Sequence, residues 1–200
     1  MAIIPFIVKM LNKSDFEEIR KEMEDFDKRR EMTIQQSREI IRLSKLIIYA
    51  THRDDLGEAK KLIAQIKTKK KELDKISKVP LDTEMHNVAE QEYVEALCYY
   101  EFVESKKIPT KSGLGVNTEN YLSGLCDLTG ELGRKAVADV INKKFEHALL
   151  IKELVDEIYG EFLKFNLRNS ELRKKSDQIK WNLKKLEDII FDVKIKGKLE

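Results

Sequence analysis

The chain has 200 residues, 37% of them charged, with 3 prolines, 8 glycines and a formal net charge of only +2. That length suffices for one domain with a sizeable core or at most two small ones, and the composition favours helices with extended polar faces. So small a net charge excludes a global basic field, leaving any nucleic-acid surface to a local patch.

The first residues, MAIIPFIVKML, form an apolar run too short to cross a bilayer, with no basic stretch before it and no small-residue cleavage site. Residues 1–13 read as an N-terminal extension, and a cytoplasmic protein with no membrane partner is expected. Ser14-Asp15-Phe16-Glu17 has the form of a capping box. Behind it Phe16, Ile19, Met23, Phe26, Ile34, Ile40, Ile41, Leu43, Ile47 and Ile48 keep helical spacing to about Ala50. Asp54-Asp55 restarts a second helix through Leu56, Leu62, Ile66, Leu73 and Ile76, closed by Pro80. A third runs from Asp82 or Thr83 to about Lys107, followed by a loop over Lys111–Asn117. Thr118 caps a fourth, a break near Asn142 leads to a fifth over Phe145–Phe165, and a last spans Glu171 to about Ile195. No segment alternates as a strand, and no linker divides the chain. The expectation is a single all-α domain over residues 1–200, an antiparallel bundle of six or seven helices.

Two acidic pairs stand out. In the third helix Glu90, Glu101 and Glu104 share one face, an ordinary acidic outer surface on the wheel. Glu92 and Glu95 fall on the opposite side, in a seam with Val88, Tyr99 and Phe102. Two carboxylates in an apolar seam are costly unless protonated, paired with a cationic side chain or bound to a divalent ion. Either a lysine or arginine from a neighbouring helix or a metal meets that need. The second pair, Asp127 and Glu131, lies in the fourth helix among Gly124, Gly130 and Gly133. Each interior glycine costs roughly 1 kcal/mol relative to alanine, so close approach of a backbone or ligand is expected there. Asp127 and Glu131 lie off the leucine stripe, and Arg134 is placed to form an i, i+3 pair with Glu131. If the two pairs meet, four carboxylates without an adjacent histidine suit Mg²⁺ or Mn²⁺ better than Zn²⁺.

His52, His86 and His147 share no ligand spacing and read as ordinary surface or interface residues. Trp181 and the tyrosines at 93, 99, 100 and 121 read as core. Cys98 and Cys126 read as buried, reduced thiols. Arg38, Arg42 and Lys45 line one side of the first helix, with Arg29, Arg30 and Arg53 near its ends. This arginine-weighted face is the better nucleic-acid candidate. A lysine cluster at positions 67, 69, 70, 71, 75 and 78 reads as a solvated face.

SREIIRLSKLIIYATHR (Ser37–Arg53), QEYVEALCYYEFVESKKIP (Gln91–Pro109), YLSGLCDLTGELGRKAV (Tyr121–Val137) and LRNSELRKKSDQIKWNLKKLEDIIFDVKIKG (Leu167–Gly197) together resemble the translin family. YLSG and the C-terminal helix look like translin, DLTGEL like its partner Trax, and the mixture looks like an archaeal-type single homologue that assembles with itself. The resemblance implies a helical fold, a hollow homo-octamer and inward-facing sites. It puts the acids of a metal-dependent endoribonuclease on Glu92, Glu95, Asp127 and Glu131, which would be both catalytic residues and ligands of Mg²⁺ or Mn²⁺. Single-stranded RNA, with single-stranded DNA as a second candidate, is the implied partner, with contacts assigned to Arg38, Arg42, Lys45 and Arg134. The translin basic and histidine cluster has no clear match here. The alternative is a nucleic-acid-binding oligomer without turnover.

Overall fold

A computed structural model describes residues 11–76, 84–168 and 170–196. Seven helices appear among them: α1 (Lys13–His52), α2 (Leu56–Ile76), α3 (Glu84–Ser105), α4 (Lys111–Leu114), α5 (Thr118–Ile141), α6 (Phe145–Phe162) and α7 (Glu171–Ile195). The described residues contain no strand. The all-α expectation holds, with six long helices and a single turn, α4, inside the stretch expected as loop. Thr110 caps that turn by accepting from Gly113 N at 3.1 Å, and Gly115 closes it at φ +67°. The expected stops at Pro80 and Gly197, the start at Asp82 or Thr83 and the extension's first ten residues lie outside the described residues.

Helix α1 starts one cap earlier than its sequence suggests. Asn12, not Ser14, is the N-cap, accepting from Ser14 N at 3.2 Å, so the serine lies inside the first turn. Asn117 likewise precedes Thr118 as the cap of α5 and accepts from Asn120 N at 2.8 Å. Asp55 opens α2 as expected, accepting from Glu58 N at 3.1 Å. Asn side chains reach the orphan amides of a helix start as well as serine or threonine does, which is why neighbouring cap candidates cannot be ranked by residue type alone.

At 1.5 Å rise per residue, the 40 residues of α1 extend about 60 Å. From Thr33 onward a seam of Thr33, Ser37, Ile40, Ser44, Ile47 and Thr51 is completely buried. It packs on α2 and α3, and small hydroxyl residues at alternate rungs let those helices come near. The same spacing continues back through Phe26, Met23, Ile19 and Phe16, which are all exposed within the chain. Beyond α3 the packing proceeds to α5, which in turn carries α6 and α7. Short turns at residues 53–55 and 142–144 set their helices as antiparallel neighbours.

Of the three glycines in α5, one explains the contact with α3. A Cβ on Gly124 would lie 2.6 Å from Val94 Cβ and 2.7 Å from the Gln91 carbonyl oxygen. The expected close approach is therefore real at Gly124. At Gly133 an added Cβ would meet nothing within 4 Å, and at Gly130 only the Asn182 amide nitrogen at 3.9 Å, so close approach accounts for neither. Gly124 sits one turn before Asp127, and Gln91 and Val94 bracket Glu92, so this backbone contact brings the two acidic pairs toward each other.

Candidate acidic site

Three helices bound a cavity of about 320 Å³. Helix α1 supplies Lys45, Tyr49 and His52, α3 supplies Glu92 and Glu95, and α5 supplies Glu131 and Arg134. Glu92 and Glu95 form no hydrogen bond or ion pair with any described residue, although both are partly buried. Burial pushes the Glu95 carboxyl up to about 8, with the charges of Asp127, Glu92 and Glu131 adding to the rise. Burial also raises Glu92, against the attraction of Lys45. In this state Glu95 is a protonated acid near neutral pH, the usual resolution when like charges share a dry site.

The second pair is neutralised differently. Asp127 lies beside the cavity and accepts from Lys175 Nζ of α7 at 2.5 Å. The same ammonium donates to Gln91 Oε1 at 2.9 Å. Glu131 accepts from Arg134 Nη1 at 2.9 and 3.0 Å, as its i, i+3 spacing predicts. It also meets His52 Nε2 at 2.5 Å. Burial works to raise Glu131, but His52 and Arg134 outweigh it and hold the carboxyl below its ordinary value. The lysine or arginine partner weighed for Glu92 and Glu95 is not found among the described residues, whereas Asp127 and Glu131 both have cationic neighbours. The four acids do not close into one tight ligand set: their oxygens are not all within 4.8 Å of one another.

His52 corrects the reading of the histidines as bystanders. Its Nδ1 lies 2.9 Å from the hydroxyl of the fully buried Tyr99, whose ionisation burial suppresses. Both ring nitrogens are thus engaged, Nε2 by donating to Glu131 and Nδ1 by a hydrogen bond shared with the Tyr99 hydroxyl. The available signal was the i, i+4, i+7 spacing of Lys45, Tyr49 and His52, which puts all three on one face. Lys175 and Tyr49 were also missed. Lys175 lies 48 residues from its partner Asp127, and Tyr49 was never singled out among the tyrosines.

The proposed nucleic-acid residues divide between cavity and surface. Lys45 and Arg134 line the cavity. Arg38 and Arg42 lie exposed farther up α1, Arg42 chelated by Glu39 at 2.6 and 3.0 Å. The core tyrosines are placed as expected, except that Tyr121 is half-buried, while Trp181 is 56% exposed and not core. Both cysteines are buried and free.

A tighter grouping occurs elsewhere, at Asp74, His86 and Glu90, whose ligand atoms lie within 4.8 Å of one another. Here Lys70 Nζ already fills the cationic role, 2.5 Å from Asp74, 3.0 Å from Glu90 and 3.3 Å from the Gly115 carbonyl. Both Lys70 and Glu90 are buried, against the expectation that one belongs to a solvated face and the other to an outer acidic surface. A helix wheel missed this because α3 is covered by α1, α2 and α5 at once. A larger cavity, about 890 Å³, is lined by Lys106, Lys135, Asp139 and His147. Its buried Asp139 is held by His147 Nδ1 and by Lys135 at 3.3 Å. The partly buried Glu92 and Glu95 therefore differ from these acids in having no cationic side chain in contact among the described residues.

Among the described residues no helix is long and apolar enough to cross a membrane. Chicken translin is 36% identical over 85 residues, covering 42% of this chain and 37% of translin. Human translin is 34% identical over 87 residues, 44% of this chain and 38% of translin. The matched stretch thus spans less than two-fifths of these relatives' length. An uncharacterised protein of Methanocaldococcus jannaschii is 30% identical over 155 residues, 76% of this chain and 70% of that protein. Among solved structures, apo-NeC3PO superposes with a TM-score of 0.83 at 28% identity, covering 96% of this chain and 98% of that one. The AfC3PO–duplex RNA complex does so with a TM-score of 0.83 at 24% identity over 93% and 100% of the two chains, a likeness of fold. The Translin family profile matches residues 28–197, and the chain belongs to that family.

Proposed function

We propose that this protein is a metal-dependent endoribonuclease acting on single-stranded RNA within a homo-octameric shell in the cytoplasm. The observation that carries the reading is the pair Glu92 and Glu95, partly buried side by side without a hydrogen-bonding or ionic partner among the described residues. Natural cores seldom leave two such carboxylates uncompensated unless a cation or a reaction uses them. The donor set fits Mg²⁺ or Mn²⁺, because carboxylate oxygens match hard divalent ions and His52 is already engaged by Glu131 and Tyr99. Glu92 and Glu95 would hold the ion, joined by Asp127 and Glu131 once these release Lys175 and His52. When bound, the ion would polarise the phosphodiester and acidify a bound water.

The chain's own residues supply the rest. Glu95, protonated in the metal-free chain, would have to lose its carboxyl proton to serve as a ligand. Arg134 and Lys45, at the cavity wall, bind the non-bridging phosphate oxygens and orient the strand. Before the ion binds, the contacts of His52 and Arg134 keep Glu131 ionised and so ready to serve as a ligand. A protein of the same fold supports contact with RNA, though not the choice of strand: AfC3PO has been solved in complex with duplex RNA. The preference for single strands follows from an enclosed shell, which a flexible backbone enters more readily than a stiff duplex. Binding without turnover is the competing reading, and the Asp127–Lys175 ion pair favours it by occupying one of the four acids.

The deciding experiment incubates a labelled single-stranded RNA with the protein in Mg²⁺, Mn²⁺ or EDTA. Cleavage in either metal, its absence in EDTA and its loss in Glu95→Gln are expected. Equal cleavage in EDTA would defeat the metal assignment, and bound but intact RNA in both metals would leave the binding reading. Light scattering should return an octamer.

A further inference from the structure

The exposed face of α1 carries a pattern that begins at the wall of the acidic cavity and extends beyond it. Arg38, Arg42, Lys45, Tyr49 and Arg53 step along one side of the helix, all exposed. Lys45, Tyr49 and Arg53 are spaced i, i+4 and i+8, so cation, aromatic ring and cation follow one another over about 12 Å of helix axis. Tyr49 is 60% exposed, unlike the buried Tyr93, Tyr99 and Tyr100 of α3. Leu46, one turn before it, is also exposed and widens the apolar surface.

The ring is held in place. Arg53 Nη1 donates to the Tyr49 hydroxyl at 3.3 Å, and the guanidinium carbon lies 5.5 Å from the ring centroid. The same ring lines the cavity that contains Glu92, Glu95 and Glu131. An exposed aromatic between two cations is the arrangement by which proteins bind single-stranded nucleic acid: the ring stacks a base of any identity and the cations take flanking phosphates.

We infer that Tyr49 is a stacking platform for one unpaired nucleobase, which positions the adjoining phosphodiester at the acidic cavity. Lys45 and Arg53 contact the phosphates on either side of that nucleotide. The inference rests on the proposal that this chain acts on single-stranded RNA, and it deepens that proposal by naming the residue that recognises an unpaired base. A paired base has both faces covered by its neighbours, so the platform also discriminates strand from duplex. Stacking contributes little sequence preference, so no base should be strongly favoured at this position.

The test is binding in EDTA, read by fluorescence anisotropy. A labelled oligoribonucleotide is compared with one of equal length and charge carrying abasic positions. The intact protein should bind the base-bearing strand more tightly. Tyr49→Ala should weaken that binding by about 5- to 150-fold while changing the abasic affinity less than about twofold. Tyr49→Phe should stay near the intact protein, and Tyr49→Leu, which keeps apolar bulk without a ring, should behave as Tyr49→Ala. Equal weakening toward both strands, no weakening toward either, or no binding at all would overturn the platform. RNA that binds through Tyr49 but stays uncut in Mg²⁺ and Mn²⁺ would defeat the nuclease and leave the platform standing. Metal-dependent cleavage with base-independent binding would defeat the platform alone.

Discussion

Glu90 and Glu92 lie two residues apart on α3, face opposite sides of it, and are treated oppositely by the fold. Glu90 is 5% exposed and fully supplied: Lys70 reaches it at 3.0 Å and Asn120 Nδ2 donates at 2.7 Å. Glu92 and its neighbour Glu95 enter a cavity where Lys45 and Arg134 stand at the wall without touching them. On one side an ammonium from α2 gives each acid of the cluster a cationic partner. On the other, the charge is left to a proton, which burial and three neighbouring carboxylates keep on Glu95 up to about pH 8. A proton is exchangeable for a metal, whereas Lys70 is buried and held by two acids and the Gly115 carbonyl. The proposed site on the Glu92 side of α3 rests on this difference between the two clusters rather than on the number of acids in either.

Removing the internal cation should have the largest effect. Lys70 is 4% exposed, so Lys70→Met strands Glu90 and Asp74 and should cost about 3–5 kcal/mol in chemical denaturation. Glu95→Gln, which removes an acid from an uncompensated pair, should leave the metal-free protein as stable or more so. A comparable loss in both variants would erase the distinction between the clusters. In cleavage assays the order reverses: Glu95→Gln should lower the rate by about 10²- to 10³-fold, and Glu90→Gln, where it folds, by less than about tenfold.

The pH response sharpens the comparison further. The Glu95 carboxyl is raised from 4.5 to about 8, so between those values the folded chain holds a proton that the unfolded chain has released. Its contribution to metal-free stability is therefore complete below pH 4.5 and is lost as pH rises toward 8. Metal affinity runs the other way, because the ion must displace that proton. Calorimetric Mn²⁺ affinity should rise with pH by up to about tenfold per unit until near pH 8, and the rise should flatten in Glu95→Gln.

The smallest expected effects concern the backbone contact beneath the site. Gly124→Ala would force a Cβ to 2.6 Å from Val94 and should cost about 1–3 kcal/mol or more, with reduced metal affinity as α3 and α5 separate. Gly133→Ala meets nothing within 4 Å and should gain up to about 1 kcal/mol of helix stability. Thermal unfolding of the two variants, read together, separates a packing glycine from one that packing does not explain.

Much was legible before the fold was known. The length of α1, the restart at Asp55, the last helix from Glu171 to Ile195 and the acidic pairs of α3 and α5 all follow from period, caps and spacing, because these are properties of a single helix. Family resemblance then placed the four acids on facing helices. Tertiary packing decided the remainder. That Lys70 is buried against Glu90, that Lys175 takes Asp127, that His52 joins Glu131 to Tyr99, and that Gly124 alone of the α5 glycines meets a neighbouring backbone are each facts about two or more helices. Tyr49 and Trp181 show the same division: nothing in their spacing tells an exposed ring from a buried one. Periodicity reports which residues share a face. Which neighbour covers that face, and whether it brings a charge, depends on contacts between residues as many as 84 apart in the chain, such as Lys175 and Gln91.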